Sequence, residues 1–175
     1  VEGPLSVGIV NYDEGTANGQ EREQGVRDAL EESGRARIGA SVTTLVEAGR
    51  AQSDAAALLS QNPDINVLIA FNEPTSVGAA RAVEELGLEE DVFLVCFDSN
   101  IVTIEGLQSG SVDALVVQNP YAMGYLGVES AYRLLTGQKD SVAPTVDTST
   151  QIVYRSNMFT MDSQKALFAF DQHLD

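Results

Sequence analysis

The 175-residue sequence is poor in the residue types on which most catalytic and metal sites depend. It has one cysteine, Cys96, one histidine, His173, and no tryptophan. A single cysteine excludes an intrachain disulfide, and one cysteine with one histidine cannot build a zinc site of the usual tetrahedral kind. A Ser–His–Asp or Cys–His arrangement would have to use His173, which is the third residue from the end. We therefore predict a protein that is not an enzyme and needs neither metal nor cofactor.

Positive charge and long apolar runs are also scarce. Ten lysines and arginines stand against 26 aspartates and glutamates, which gives a net charge of −16. This charge argues against a nucleic-acid partner or an anionic membrane surface, because both are bound largely through basic side chains. The longest apolar runs, such as residues 92–97, fall far short of the roughly 18 residues of a membrane span. No basic-plus-apolar signal sequence opens the chain. Val1 stands only a few residues before the first predicted strand, so we expect the natural start to lie upstream of it.

Apolar runs alternate with amphipathic stretches, and this order predicts the fold class. The predicted strands are 5–11, 37–44, 65–71, 92–97, 112–118 and 150–156, and the predicted helices are 19–33, 48–62, 75–87, 101–109 and 121–136. Most strand runs lack strict polar alternation, which indicates burial on both faces and a parallel sheet between helices. We therefore predict an α/β protein with a doubly wound, mainly parallel sheet and helices on both faces. Cys96 is predicted to be a buried thiol within this sheet.

Polar residues stand at the positions where such a sheet usually binds its ligands. Asn72, Asp98 and Gln118 each end an apolar strand run, and Arg22 lies in the first turns of the helix after the first strand. Ligands of open parallel sheets bind outside the carboxyl ends of the strands. These side chains form hydrogen bonds and none is a nucleophile, which favours a site that holds a polar molecule without reacting with it. Tyr12, just past the first strand, is a further candidate for this edge.

Each of these residues also has a purely structural interpretation. Asp98 could be the N-cap of the helix near residue 101, and Asn72 could cap or turn the chain before Pro74. Gln118 could bond to loop backbone, and Arg22 could be a solvated helix residue. No GxGxxG or P-loop pattern follows the first strand, so phosphate binding is not indicated.

The four polar residues, together with the segments that surround them, resemble the C-terminal part of the type I periplasmic sugar-binding proteins, in particular the ribose-binding group. The same lobe occurs in the sensor domains of the lactose-repressor family. The matching segments cover most of residues 5–155 and are REQGVRDAL (22–30), NPDINVLIAFNEPTSVGAARAVEELG (62–87), VFLVCFD (92–98), GLQSGSVDALVVQNPYAMGYLGVESAYRLLTG (106–137) and QIVYR (151–155).

The resemblance implies that Arg22, Asn72, Asp98 and Gln118 contact the hydroxyl groups of a sugar. It further implies a periplasmic or extracellular protein that closes on a hinge around its ligand and passes it to the permease of an ABC transporter. The family places an aromatic ring at a position that aligns near Val46, where this chain has none. The alternative function is the ligand-sensing domain of a transcription regulator, which would require a helix-turn-helix upstream.

The resemblance also divides the chain into regions. Residues 1–118 plus 149–158 are expected to form the C-terminal lobe, and 119–148 to belong to an N-terminal lobe that is missing here. We favour a fragment of a longer binding protein over a chain that pairs with a separate first lobe or associates with itself through helix 121–136. That helix would expose an apolar stripe, namely Tyr125, Val128, Tyr132 and Leu135. The tail 159–175 is expected to pack through some of its apolar residues, namely Phe159, Leu167, Phe168 and Phe170.

Overall fold

The computed structural model describes residues 3–168 and is built around one six-stranded sheet with the order β2-β1-β3-β4-β5-β6. The strands are β1 Leu5–Asn11, β2 Ala36–Thr43, β3 Val67–Ala70, β4 Phe93–Phe97, β5 Ala114–Val117 and β6 Gln151–Tyr154. The helices are α1 Ala17–Ser33, α2 Ala48–Gln61, α3 Glu73–Leu86, α4 Ile101–Ser109, α5 Pro120–Leu135 and α6 Met161–Phe168, with a short 3-10 turn at Lys139–Ser141. Neighbouring strands from β2 to β5 are parallel and β6 is antiparallel to β5. The predicted fold class, a doubly wound and mainly parallel sheet, is confirmed.

The core is divided by the sheet into a large and a small cluster. The large cluster combines strand residues such as Leu68, Leu94 and Leu115 with apolar residues of α2, α3, α4 and α6. The small cluster lies around Val7, Ile9, Val67 and Phe71, and its helical members come from α1. Because α1 alone supplies helical residues to that cluster, this face of β4 is only partly covered. Its outward residues Phe93, Val95 and Phe97 are half-buried, so the prediction of full burial on both faces is wrong for β4.

Helix α5 confirms the predicted helix at 121–136 but has no buried residue. Its apolar stripe is exposed, with Tyr125, Val128, Tyr132 and Leu135 each more than half accessible to solvent. The helix is followed by the 3-10 turn, and residues 142–150 form neither helix nor strand. Within residues 3–168, no helix combines the length and the apolar character needed to cross a bilayer.

The C-terminal region is more ordered than the sequence indicated. Residues 161–168 form α6, which buries Leu167 in the large cluster. Ser163 is also buried and accepts a hydrogen bond from Gln151 of β6, whereas Phe159 and Phe168 stay exposed. Phe170 and His173 lie outside the described residues. Cys96 is buried in β4 as predicted, and burial raises the pKa of its thiol to about 12.

Candidate functional site

The carboxyl ends of the parallel strands form one edge of the sheet, and the predicted site residues collect there. Asn72, Asp98 and Gln118 follow β3, β4 and β5 by one or two residues. The sheet order reverses between β1 and β3, since the chain passes from β1 outward to β2 and then returns to β3. In open α/β sheets the crevice at such a reversal is the usual ligand position.

Asp98 and Gln118 form a direct pair at this edge. The Nε2 group of Gln118 donates a hydrogen bond to Oδ1 of Asp98 at 2.6 Å. Both side chains are half-buried, so each keeps access to a ligand. The pair orients the Asp98 carboxylate and leaves its second oxygen as an acceptor.

The backbone of Asp98 adopts an unusual conformation, with a φ angle of 64°. Its N–H still donates to the carbonyl of Val116 at 3.0 Å, so the β4–β5 ladder continues to this residue. Left-handed backbone in a residue other than glycine costs on the order of 1 kcal/mol and is concentrated at functional sites. The N-cap interpretation of Asp98 is wrong, because Asn100 caps α4.

Asn72 combines a structural role with an open donor. Its side-chain oxygen accepts a hydrogen bond from the backbone N–H of Thr75 at 3.1 Å, and the reciprocal bond completes a capping box for α3. The capping interpretation of this residue is therefore confirmed. Within residues 3–168 its Nδ2 group forms no hydrogen bond, so that group can still donate to a ligand.

Arg22 reaches from α1 across to the ends of β3 and β4. Its Nη1 group donates to the backbone carbonyl of Phe71, and its guanidinium carbon lies 4.9 Å from the centre of the Phe97 ring. The side chain is half-buried, so it is not the freely solvated helix arginine of the structural interpretation. The structure thus brings Arg22 to the same edge as the three strand-end residues.

The orientation of α1 is fixed by residues that the sequence analysis did not select. Asn11, which is buried at the end of β1, donates through Nδ2 to Oε2 of Glu23 at 2.9 Å. Gly19 lets the helix approach the preceding loop, since a Cβ there would lie 1.9 Å from the carbonyl oxygen of Asp13. A polar residue ending an apolar strand was the signal that selected Asn72, Asp98 and Gln118, and it would also have found Asn11.

The hydrogen bond between Asn11 and Glu23 depends on pH, because the Glu23 carboxylate can be protonated. Burial raises its pKa, but hydrogen bonds from Arg27 and Asn11 outweigh burial and hold the pKa below its ordinary value of 4.5. A carboxyl whose pKa is lowered by folding stabilises the fold above its unfolded pKa, and this contribution is lost as the pH falls through the folded pKa.

We therefore expect Glu23→Gln to weaken the acid sensitivity of the fold. Between pH 7 and pH values below 4.5, the free energy of unfolding should fall less for Glu23→Gln than for the parent chain. Urea unfolding at several pH values measures this difference. Glu21→Gln, which alters the exposed neighbouring carboxylate, is the matched control and should follow the parent. If the free energy of unfolding changed with pH equally in Glu23→Gln and the parent, the lowered pKa of Glu23 would be contradicted.

Tyr12 and Val46 follow β1 and β2 at the same edge of the sheet. Tyr12 is half-buried after β1, and its hydroxyl donates to the side chain of Asn18 in α1. Val46 lies in the loop between β2 and α2 and is 60% exposed. Neither forms a hydrogen bond or ring contact with Arg22, Asp98 or Gln118 within residues 3–168, so their contact with a ligand stays a prediction.

A cavity of about 240 Å³ adjoins the Asp98–Gln118 pair. Its walls combine polar and apolar side chains and are formed by Asp98, Ser99, Val117, Gln118, Pro120, Met123 and Ala166. Complete small-molecule sites usually occupy about 300–1,000 Å³. This cavity has the character of one wall of a site rather than a complete enclosure.

The chemistry at the edge is that of recognition. One cation, one carboxylate and two amides offer donors and acceptors, and no nucleophile is paired with a base among them. Across residues 3–168, no group of three or more His, Cys, Asp or Glu side chains is placed to hold a metal ion. The fold and this edge define a ligand-binding lobe of the open α/β class.

Comparison with known proteins identifies the family. Residues 1–139 match the periplasmic binding protein domain family, so the chain belongs to it. The D-ribose/D-allose-binding protein of Pseudomonas aeruginosa is 34% identical over 146 residues, which are 79% of this chain and 45% of that protein. The ribose import binding protein of Escherichia coli is 33% identical over 90 residues, which are 51% of this chain and 30% of that protein. The chain thus spans less than half the length of both relatives.

Solved structures agree with this assignment. A solute-binding protein of an ABC transporter from Agrobacterium vitis, with bound D-fucose, is 25% identical and superimposes with a TM-score of 0.89 over 96% of this chain and 57% of its own. A carbohydrate transporter solute-binding protein from Agrobacterium radiobacter, in complex with D-arabinose, is 28% identical with a TM-score of 0.88 over 94% of this chain and 55% of its own. The matched family is that of the periplasmic binding proteins, and the relatives are named as binding proteins for sugars or for ABC transporters. They support the predictions of a non-enzymatic role and a periplasmic or extracellular location.

Proposed function

We propose that this chain is the C-terminal lobe of a solute-binding protein that recognises a sugar or a similar polyol for an ABC transporter. The observation that carries the proposal is the Asp98–Gln118 pair, which lies at the same carboxyl edge of the sheet as Asn72 and Arg22. The relatives described above bind ribose, allose, fucose or arabinose according to their names. None of those relatives is a transcription regulator, so they give the regulator alternative no support.

The available groups suit hydroxyl ligands. The free oxygen of Asp98 accepts from hydroxyls through charge-assisted bonds, and the carbonyl oxygen of Gln118 is a neutral acceptor. Arg22 and the Nδ2 group of Asn72 donate. A hydroxyl both donates and accepts, so a polyol can satisfy all of these groups at once.

The domain division predicted from the sequence becomes part of this proposal. Residues 119–148 belong with the first lobe, and the chain crosses between lobes at Gln118–Pro120 and near 148–151. The absence of any buried residue in α5 supports this division, since the helix lies on no sheet among the described residues. Closure of two lobes about those crossings would bury the ligand and complete its hydrogen bonds.

The exposed face of α5 is the surface where partners would bind. Pro120, Tyr121, Tyr125, Val128 and Tyr132 line an apolar groove along the helix. In the complete protein the first lobe covers this groove, and the permease of an ABC transporter is the expected partner of the two closed lobes. Association of two copies of the chain through the same groove is the alternative.

The half-site should bind its ligand weakly. We expect D-ribose, D-allose, D-fucose or D-arabinose to bind the monomeric chain with a dissociation constant near or above 1 mM, which is about −4 kcal/mol or weaker. The physical reason is that the opposite wall of the site, with its hydrogen bonds, is missing. Titration calorimetry on the chain, with its mass checked by sedimentation, measures this value. Micromolar affinity in a monomer would contradict the assignment of a half-site.

A further inference from the structure

We infer that Phe97 is a positioning residue that holds the Arg22 guanidinium in its ligand-facing orientation, an inference that rests on the proposed function. Phe97 ends β4 one residue before Asp98. Its ring supports the guanidinium from one side, at 4.9 Å between the guanidinium carbon and the ring centre. The ring therefore acts through Arg22 and need not touch the ligand.

The backbone of Phe97 is held from α3. The buried hydroxyl of Ser76 accepts a hydrogen bond from the N–H of Phe97 at 2.9 Å and donates to its carbonyl at 3.0 Å. Two bonds to the same residue fix the end of β4 against the helix. The Cα–Cβ direction of Phe97 is thereby set before any ligand binds.

The ring orientation is held by Phe71. The two rings meet edge to face, with centres 5.8 Å apart and planes at 88°. Phe71 is fully buried at the end of β3, so it provides a rigid partner. This contact leaves a face of the Phe97 ring directed at Arg22, where the quadrupole of the ring attracts a cation.

Phe71 also supplies the second anchor of the guanidinium, because its backbone carbonyl accepts from Nη1 of Arg22. That carbonyl uses one of the five N–H donors of the guanidinium, so four remain for other acceptors. Within residues 3–168, carboxylate partners are found for Arg27, Arg37, Arg50 and Arg133 but not for Arg22. In a chain with 26 acidic residues, Arg22 is thus held in place by an aromatic ring and a carbonyl and keeps its donors.

The test uses two substitutions of Phe97 that distinguish the effect of its aromatic ring from the effect of its apolar volume. Phe97→Leu removes the ring face and keeps a large apolar side chain, whereas Phe97→Tyr keeps the ring and should restore the parental behaviour. Phe93→Leu is the matched control, because Phe93 lies on the same face of β4, is also half-buried and forms no cation–π contact with Arg22 within residues 3–168.

The direct readout is the Arg22 side chain in ¹H–¹⁵N NMR spectra of the full chain. In the parent, Phe97→Tyr and Phe93→Leu, we expect ring-current-shifted Arg22 signals and slow rotation of the guanidinium. In Phe97→Leu, the shift should vanish and the rotation should accelerate. An unshifted, freely rotating Arg22 in the parent chain would overturn the inference without any variant, and so would unchanged Arg22 signals in Phe97→Leu.

The functional readout is the affinity for D-ribose and D-allose in the same samples. A lost cation–π contact weakens binding by roughly two- to fivefold in Phe97→Leu, with little change in Phe97→Tyr or Phe93→Leu. Loss of the Arg22 signature with unchanged sugar affinity would overturn the positioning role. Micromolar affinity in the monomeric parent would instead contradict the proposed half-site, while the Arg22 signals report independently of sugar affinity whether Phe97 holds the guanidinium.

Discussion

Replacement of Asp98 by asparagine is expected to abolish measurable sugar binding and to leave the fold intact. Among Asn72, Asp98 and Gln118, only Asp98 carries a charged group, which can accept charge-assisted bonds from hydroxyls. Hydrogen bonds to a charged group contribute about 1.5–3 kcal/mol each, so affinity should fall by roughly 10- to 100-fold. From a starting value near millimolar, such a loss places binding beyond detection.

The substitution is conservative for the structure. Asparagine tolerates the left-handed backbone at φ 64°, and its side-chain oxygen can still accept from Gln118. Asp91→Asn makes the same change of charge at an exposed position at the opposite end of β4 and serves as the control. Titration of both variants with D-ribose and D-allose measures the effect. Equal affinity in the two variants would remove Asp98 from the site.

Replacement of Gly78 by alanine should destabilise the fold strongly, because the added methyl group would meet atoms of the neighbouring helix α2. Gly78 lies where α3 crosses α2, and an added Cβ would lie 2.5 Å from the Cβ of Ala51 and 2.6 Å from the backbone nitrogen of Gln52. Backbone atoms cannot move aside as a side chain can, so the two helices must separate. We expect a loss of about 2 kcal/mol or more, even after the better helix propensity of alanine is counted.

The control substitution for this prediction is expected to raise the stability of the chain instead of lowering it. Gly25 is exposed in α1, and a Cβ added there meets no atom within 4 Å. Gly25→Ala should therefore stabilise the chain by about 0.5–1 kcal/mol through helix propensity alone. Urea unfolding followed by circular dichroism compares the two variants with the parent. A neutral or stabilising effect of Gly78→Ala would show that α2 and α3 are not packed as closely as described.

The fold was predictable because its signals are local. Runs of apolar residues, spaced by amphipathic stretches, located all six strands and the first five helices to within a few residues. Strand direction is not encoded in such runs, so the antiparallel pairing of β6 could not be derived from composition. Helix α6 has only 8 residues, too few for its periodicity to predict more than a packed tail.

The site was predictable in position but not in geometry. Polar residues after apolar runs located Asn72, Asp98 and Gln118, because parallel strands bring their carboxyl ends together. The support of Arg22 depends on which face of β4 is poorly covered and on how α1 is rotated about its axis. Phe97 looked like one more core residue of its run, and its role emerges only when Arg22 is brought beside it by tertiary packing.

The most direct test of the central claim is a ¹H–¹⁵N NMR titration of this chain with D-ribose and D-allose, with glycerol as the reference polyol. The account predicts shifts that exceed those caused by glycerol and that cluster at the carboxyl edge of the sheet, at the amides of Asn72, Asp98 and Gln118 and the side chain of Arg22. Shifts that match those caused by glycerol, or that cluster at the opposite edge of the sheet, would contradict it.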